Sequence, residues 1–186
     1  ARDAMAQAAA QARRAADVIG RLRRAVERPH ADSATLALTL NDAVRRVLYL
    51  LEPECQRRRV TPVLHADAPV RVRADPVALE QIVHNLLMNA LQALEQMDSA
   101  PRALVVSVSA RGSIGELVVS DNGPGIAPEA LPRLFEPFFS TREGGLGLGL
   151  SLCESLAQSM GGTLAAAAVV PHGAAFTLTL PLEPRA

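Results

Sequence analysis

The sequence predicts an α+β fold in which one sheet carries helices on one face, preceded by one long helix. Three observations carry this. The strand-like stretches of the second half arrive as hairpins: "ALVVSVSA" with "GELVVS" across the turn "RGSI", and "GTLAAAAVV" with "AAFTLTLPL" across "PHG". Helical stretches lie between these hairpins and do not alternate with single strands, so a doubly wound sheet is not expected. Hydrophobic residues make up 49% of the 186 residues and aromatics only 3%, so the core must be built of Leu, Val and Ala.

The first element, residues 1–28, reads as one helix. Met5, Ala8, Ala12, Ala15, Ile19, Leu22 and Val26 alternate steps of three and four, a heptad seam. Either this helix joins a bundle or coiled coil, or it lies as an Ala-rich helix on its own domain. The unbroken seam and the Arg-rich opposite face favour the bundle. Pro29 stops it and "RPHADS" is a linker.

"ATLALTL" (34–40) reads as a short strand, and Asn41 as the cap of a helix over about 42–58 that Pro53 kinks or ends early. "VTPVLHA" and "VRVRA" read as strands. Asp75 caps the long helix 76–97, with Pro76 in its first position. Residues 121–149 read as glycine-rich loops with one short helix near 128–134, and 147–160 as a further helix. The two hairpins complete the list.

Several functions are excluded by composition. Formal net charge is zero, all 19 basic residues are Arg, and there is no Trp and one Tyr. Nucleic acid would have neither an electrostatic footprint nor a stacking platform. The all-Arg usage and abundant Ala suggest a GC-rich bacterial genome. Cys55 and Cys153 match no metal or redox spacing, which predicts a reduced, cytoplasmic setting. No run approaches a membrane span and no signal-peptide pattern is present; the chain starts mid-pattern, as a piece of a longer protein would.

Three clusters carry the chemistry. In "IVHNLLMNALQAL" (82–94), Asn85 and Asn89 lie one turn apart on a stripe beside an apolar face. Amide oxygens can bind a hard cation such as Mg²⁺ while a triphosphate supplies further ligands; equally, the amides could bond neighbouring loops. In "VVSDNGPGIAPE" (118–129), Asp121 stands at a strand end before Gly123 and Gly125. Its carboxylate could accept from an exocyclic amine such as that of adenine; the alternative is an ordinary turn. In "LPRLFEPFFSTREGGLGLGLSLCESLA" (131–157), Gly145, Gly147 and Gly149 precede a helix, where backbone amides can bind phosphate. Phe135, Phe138 and Phe139 beside them suggest the hydrophobic hinge of a lid. Thr141 and Arg142 could reach phosphates, or be solvated loop residues.

Together these clusters resemble the ATP-binding catalytic domain of sensor histidine kinases, within the wider group of gyrase, the Hsp90 chaperone and MutL. "HNLLMNALQAL" looks like the N box, "DNGPGI" like the first glycine box, "LFEPFFSTR" like the F box and "GGLGLGLS" like the second glycine box. "HGAAFTLTLP" resembles the closing strand motif, with Ala175 where Thr is common. The resemblance spans about residues 30–182. It implies a two-layer α/β sandwich of the Bergerat type, with a mixed, mostly antiparallel sheet. It implies ATP and Mg²⁺, with Asn89 as metal ligand and Asn85 assisting. Asp121 would take the adenine amine, with Gly123, Gly125 and Ile126 around the base, and Phe135, Thr141 and Arg142 in the lid. Gly145, Leu146, Gly147, Leu148, Gly149 and Leu150 would wrap the triphosphate.

Residues 1–29 then resemble the last helix of a dimerisation and phosphotransfer hairpin, and 30–186 the catalytic domain. Implied partners are the chain's own acceptor-histidine hairpin, a response regulator receiver domain and a second copy of the parent protein. None of His30, His65, His84 and His172 lies in an acceptor context, so the acceptor is expected upstream of residue 1. Hydrolysing relatives carry a Glu one turn before the metal Asn as a base for water. Here that position is Asn85, which favours phosphotransfer over a gyrase- or MutL-type hydrolysing switch. A nucleotide-binding pseudokinase scaffold is the non-enzyme alternative.

Overall fold

A computed structural model describes residues 35–97, 101–141 and 145–184. The expected helix 1–28 and its linker lie outside the described residues. Strand β1 (Leu36–Thr39) pairs antiparallel with β3 (Arg71–Ala74) in a small two-stranded sheet. Helix α1 (Leu40–Leu50) follows β1 without a linker.

Two expectations are corrected here. The strand stops at Thr39, and Asn41 is not a cap. It sits buried in the first turn of α1, where Nδ2 donates to Ala68 O and Oδ1 accepts from Val70 N–H, both at 2.9 Å. The amide is satisfied by a distant loop and not by its own helix, so it ties the start of α1 to the entry of β3. Of the two effects expected of Pro53 the early end is the one observed: α1 stops at Leu50, and Pro53 lies in the first turn of a second helix, α2 (Glu52–Arg57), where no N–H is required.

Strand β2 (Val63–His65) precedes β3, and then α3 runs from Pro76 to Glu95. Asp75 caps α3 as its sequence predicts, accepting from Val77 N–H at 2.8 Å and Ala78 N–H at 3.2 Å. Two hairpins follow: β4 (Leu104–Arg111) with β5 (Ile114–Asp121), and β6 (Thr163–Ala168) with β7 (Ala174–Pro181). Between them lie a single 3₁₀ turn, Leu131–Arg133, in place of the short helix expected near 128–134, and α4 (Gly149–Ser159). The latter starts two residues late because Gly147 has φ +64°, which no right-handed helix accommodates.

The main sheet has the order β2-β4-β5-β7-β6; only β2–β4 is parallel. Its inner face presents Val106, Val108, Leu117, Val119, Leu164, Phe176, Leu178 and Leu180, all buried. They meet Leu79, Ile82, Val83, Leu86, Leu87, Ala90, Leu91 and Leu94 of α3, with α4 alongside and α1 against α3. The residues between them in sequence, such as Ser107, Ser109, Glu116, Ser120, Thr177 and Thr179, face outward and are not buried. One covered face and one uncovered face make the two-layer α/β sandwich, mixed and mostly antiparallel. Among the described residues, no helix is long and apolar enough to cross a membrane.

Candidate nucleotide site

The asparagine stripe of α3 is half-buried at both Asn85 and Asn89. Asn85 Nδ2 donates to Sγ of Cys153 on α4 at 3.4 Å, so this amide joins the two helices. Cys153 is fully buried. Burial pushes its thiol up to about 11, with the Asn85 hydrogen bond opposing the rise. The thiol is therefore neutral at physiological pH.

A pH dependence follows. The folded thiol titrates above the ordinary value of 9.0. Its contribution is fully present below about pH 9 and is lost as pH rises towards about 11, because the unfolded chain releases the proton first. The expected loss is about 2–3 kcal/mol over that window. Urea unfolding at pH 7, 9 and 10.5 checks it: the Cys153→Ala variant should show a smaller decline than the parent. Equal declines would remove the assignment.

Asp121 owes its position to strand periodicity. On β5 it falls on the same face as Leu117 and Val119, so the alternation that buries them buries the carboxylate too, at 4% exposure. Its neighbours across the sheet are Leu104 and Ala174. Its Oδ1 accepts the N–H of Gly123 at 2.8 Å. A Cβ at Gly123 would lie 2.8 Å from that oxygen and 3.1 Å from Cβ of Ala93. Ala93 is one helical turn beyond Asn89, so the loop after β5 packs beside the asparagine stripe.

The structure thus brings Asp121 and Gly123 to α3. It seats Gly125, at φ +84°, on the backbone of Gly173, where a Cβ would be 3.1 Å from the Gly173 carbonyl. Gly173 itself lies on Asp121: a Cβ there would be 2.1 Å from the Asp121 carbonyl oxygen.

The sequence did not single out Gly173, His172, Asn122 or Cys153 for the site. "PHG" read as a hairpin turn leading into the closing strand motif, and Asn122 as part of "DNGPGI", with no role given to either side chain. Asn122 in fact accepts from Ala103 N–H at 2.7 Å through Oδ1 and donates to Pro101 O at 2.8 Å through Nδ2, fastening the loop to the segment before β4. Ala175, noted for its missing hydroxyl, pairs with Ser120 on the outer face; Ala174 is the residue opposite Asp121.

Ile126, Phe135 and Leu150 are partly buried against the core. Phe138 is 68% exposed with φ +67°, and its N–H donates to Gly147 O at 3.0 Å. The Phe139 ring lies under the Arg133 guanidinium, 4.3 Å from its centroid. A Cβ at Gly147 would come 2.4 Å from Phe139 O, so the second glycine box crosses directly over the Phe138–Phe139 backbone. Thr141, Gly145 and Leu146 are exposed, and Arg142 lies outside the described residues. Leu148 precedes α4 without a side-chain cap, and nothing lies within 4 Å of a Cβ built on Gly149. Among the described residues no side chain caps the first amides of α4, a setting that suits an anion.

A buried carboxylate at a strand end, a glycine cradle and an uncapped helix start suit a nucleotide's base and phosphates. Among the described residues, no group of three His, Cys, Asp or Glu could hold a metal ion.

The model of the family described as histidine kinase-, DNA gyrase B- and HSP90-like ATPases matches residues 74–184. The chain belongs to this family. Within it, this ATPase-family domain is an ATP-binding catalytic domain of the sensor-kinase type. It is 32% identical over 182 residues to the C4-dicarboxylate transport sensor protein DctS of Rhodobacter capsulatus, covering 97% of this chain and 27% of DctS. It is 36% identical to the sensor protein FixL of Bradyrhizobium diazoefficiens, covering 96% of this chain and 35% of FixL.

The nucleotide-free catalytic domain of histidine kinase ThkA superposes with a TM-score of 0.70 at 26% identity, covering 79% of this chain and 95% of that one. Full-length ShkA in complex with AMPPNP superposes at 0.72 and 27% identity, covering 83% of this chain and 32% of that one. The chain thus spans about a third or less of the curated relatives' length.

Proposed function

We propose that this domain binds Mg·ATP and donates the γ-phosphoryl group to a histidine on a dimerisation hairpin upstream, for relay to a response regulator aspartate. The observation that carries this reading is Asn85. It occupies the position where a hydrolysing relative needs a carboxylate base, and its amide is bonded to a neutral thiol. Neither group takes a proton from water at neutral pH.

In this reading Asp121 accepts the exocyclic amine of adenine, while Gly123, Gly125 and Ile126 line the base. Asn89, assisted by Asn85, turns its amide oxygen to Mg²⁺, which when bound neutralises charge on the phosphate oxygens. Gly145, Gly147 and Gly149 let the backbone approach the phosphates, and the amides of Leu148, Gly149 and Leu150 face them. Phe135, Thr141 and Arg142 belong to the lid over the nucleotide, and Leu146 to the loop around the triphosphate. The catalytic unit is residues 30–186, and 1–29 ends the hairpin. The parent protein acts as a homodimer, with the catalytic unit on the cytoplasmic side, where ATP and the receiver domain are found.

The test mixes the domain with Mg·ATP and a separate acceptor hairpin. Acid-labile, alkali-stable phosphohistidine should appear on the hairpin and not on this chain. Phosphate released to water with no labelled hairpin would establish a hydrolysing switch in place of a kinase. Nucleotide binding without either product would leave a scaffold.

A further inference from the structure

The β6–β7 turn contributes a side chain to this site that neither the motifs nor the proposed roles assign. His172 Nδ1 lies 2.9 Å from the carbonyl oxygen of Asn122 and 3.2 Å from that of Gly123. A carbonyl oxygen only accepts, so Nδ1 carries the proton and donates to both. The Asn122 carbonyl and the Gly123 N–H belong to one planar peptide unit. That same N–H donates to Asp121 Oδ1 at 2.8 Å. Turning this peptide to release its carbonyl from His172 would turn its N–H away from the carboxylate.

We propose that His172 is a positioning residue for nucleotide binding: by holding the Asn122–Gly123 peptide plane it aims the N–H that orients the Asp121 carboxylate. Three features make the plane the point of control. Gly123 follows it, and glycine restrains backbone rotation least of all residues. The Asn122 side chain anchors the residue through Pro101 and Ala103 but leaves the peptide's own carbonyl to His172. The turn carrying His172 is itself closed by Val169 N–H to Gly173 O at 3.0 Å and seated on Asp121 through Gly173, so the imidazole is presented from a fixed base. Donation to the carbonyl also polarises the peptide and strengthens its N–H as a donor.

The inference rests on the nucleotide reading of Asp121, and the experiment separates the two. ATP affinity is measured by calorimetry for the parent and for His172→Ala, His172→Gln and His172→Asn. Asparagine can place an amide N–H close to where Nδ1 stands, whereas glutamine carries its donor one bond further out.

The Ala and Gln variants should bind ATP about fivefold to tenfold more weakly, the effect of one hydrogen bond. The Asn variant should stay within about twofold of the parent. At saturating ATP, phosphotransfer to the hairpin should be unchanged in all four, since His172 does not touch the reacting phosphate. Parent affinity in His172→Ala, or equal weakening in Asn and Gln, overturns the role of His172. If His172→Ala fails to fold, the Asn–Gln pair decides alone. A parent chain that binds no ATP overturns the nucleotide reading itself.

Discussion

Asp121→Asn should weaken ATP binding by about a hundredfold while the domain stays folded. The two side chains have the same shape, and Asn Oδ1 can still accept the Gly123 N–H that Asp121 Oδ1 accepts at 2.8 Å. What changes is the other end of the group. A carboxylate presents only acceptors, whereas an amide presents a donor there, and an adenine amine would then meet N–H against N–H. A hydrogen bond to a charged partner is worth about 1.5–3 kcal/mol, and its upper half corresponds to the hundredfold loss.

Discrimination should fall with affinity. Guanine offers a carbonyl where adenine offers its amine, so the parent should reject it through two facing acceptors and the variant should not. Calorimetry with ATP and GTP reads both effects, and a melting curve confirms the fold. An unchanged ATP affinity would remove Asp121 from the base-binding role.

Gly173→Ala should be the most destabilising small substitution in the site. A Cβ at Gly173 would lie 2.1 Å from the Asp121 carbonyl oxygen, and that oxygen belongs to a strand paired on both sides. Nothing nearby can yield as the end of a flexible side chain can. Gly173 also has φ +126°, which L-residues rarely adopt. Strain and overpacking together should cost about 3 kcal/mol, lowering the melting temperature by roughly 6–12 °C.

Gly149→Ala is the control. It stands at the first residue of α4 with nothing within 4 Å of the added Cβ, and its stability should be equal or higher. If both variants melt alike, the packing of the β6–β7 turn on Asp121 is not what the geometry indicates.

How far these residues were legible in the sequence depended on the range of the interactions that place them. Helix α3 was read almost to its ends because its signals are local: Asp75 as cap, Pro76 in the first turn, and an apolar face every three or four residues. The strand before Asp121 was read to Ser120, one residue short, although the period-two alternation through Leu117 and Val119 carries on to the carboxylate. The glycine boxes drew notice because "LGLGLSL" is too apolar for a solvated linker.

Three readings that fell short share one cause. Asn41 looked like a helix cap because its partners, Ala68 and Val70, are 27 and 29 residues away. Asn85 showed no reason to meet Cys153, 68 residues on. His172 and Gly173 looked like turn residues because the loop they hold is about 50 residues earlier.

The sequence by itself determined the α+β class, the two hairpins, the long asparagine-bearing helix and the residue types of the candidate site, because periodicity, capping and glycine content act within a few residues. Only the tertiary structure decided which groups share an atom's reach. It put the β6–β7 turn on Asp121, seated the loop after β5 on Ala93 and locked Asn85 to a buried thiol. Those contacts follow from how the β4–β5 and β6–β7 hairpins join edge to edge under α3 and α4, and no local pattern encodes that join.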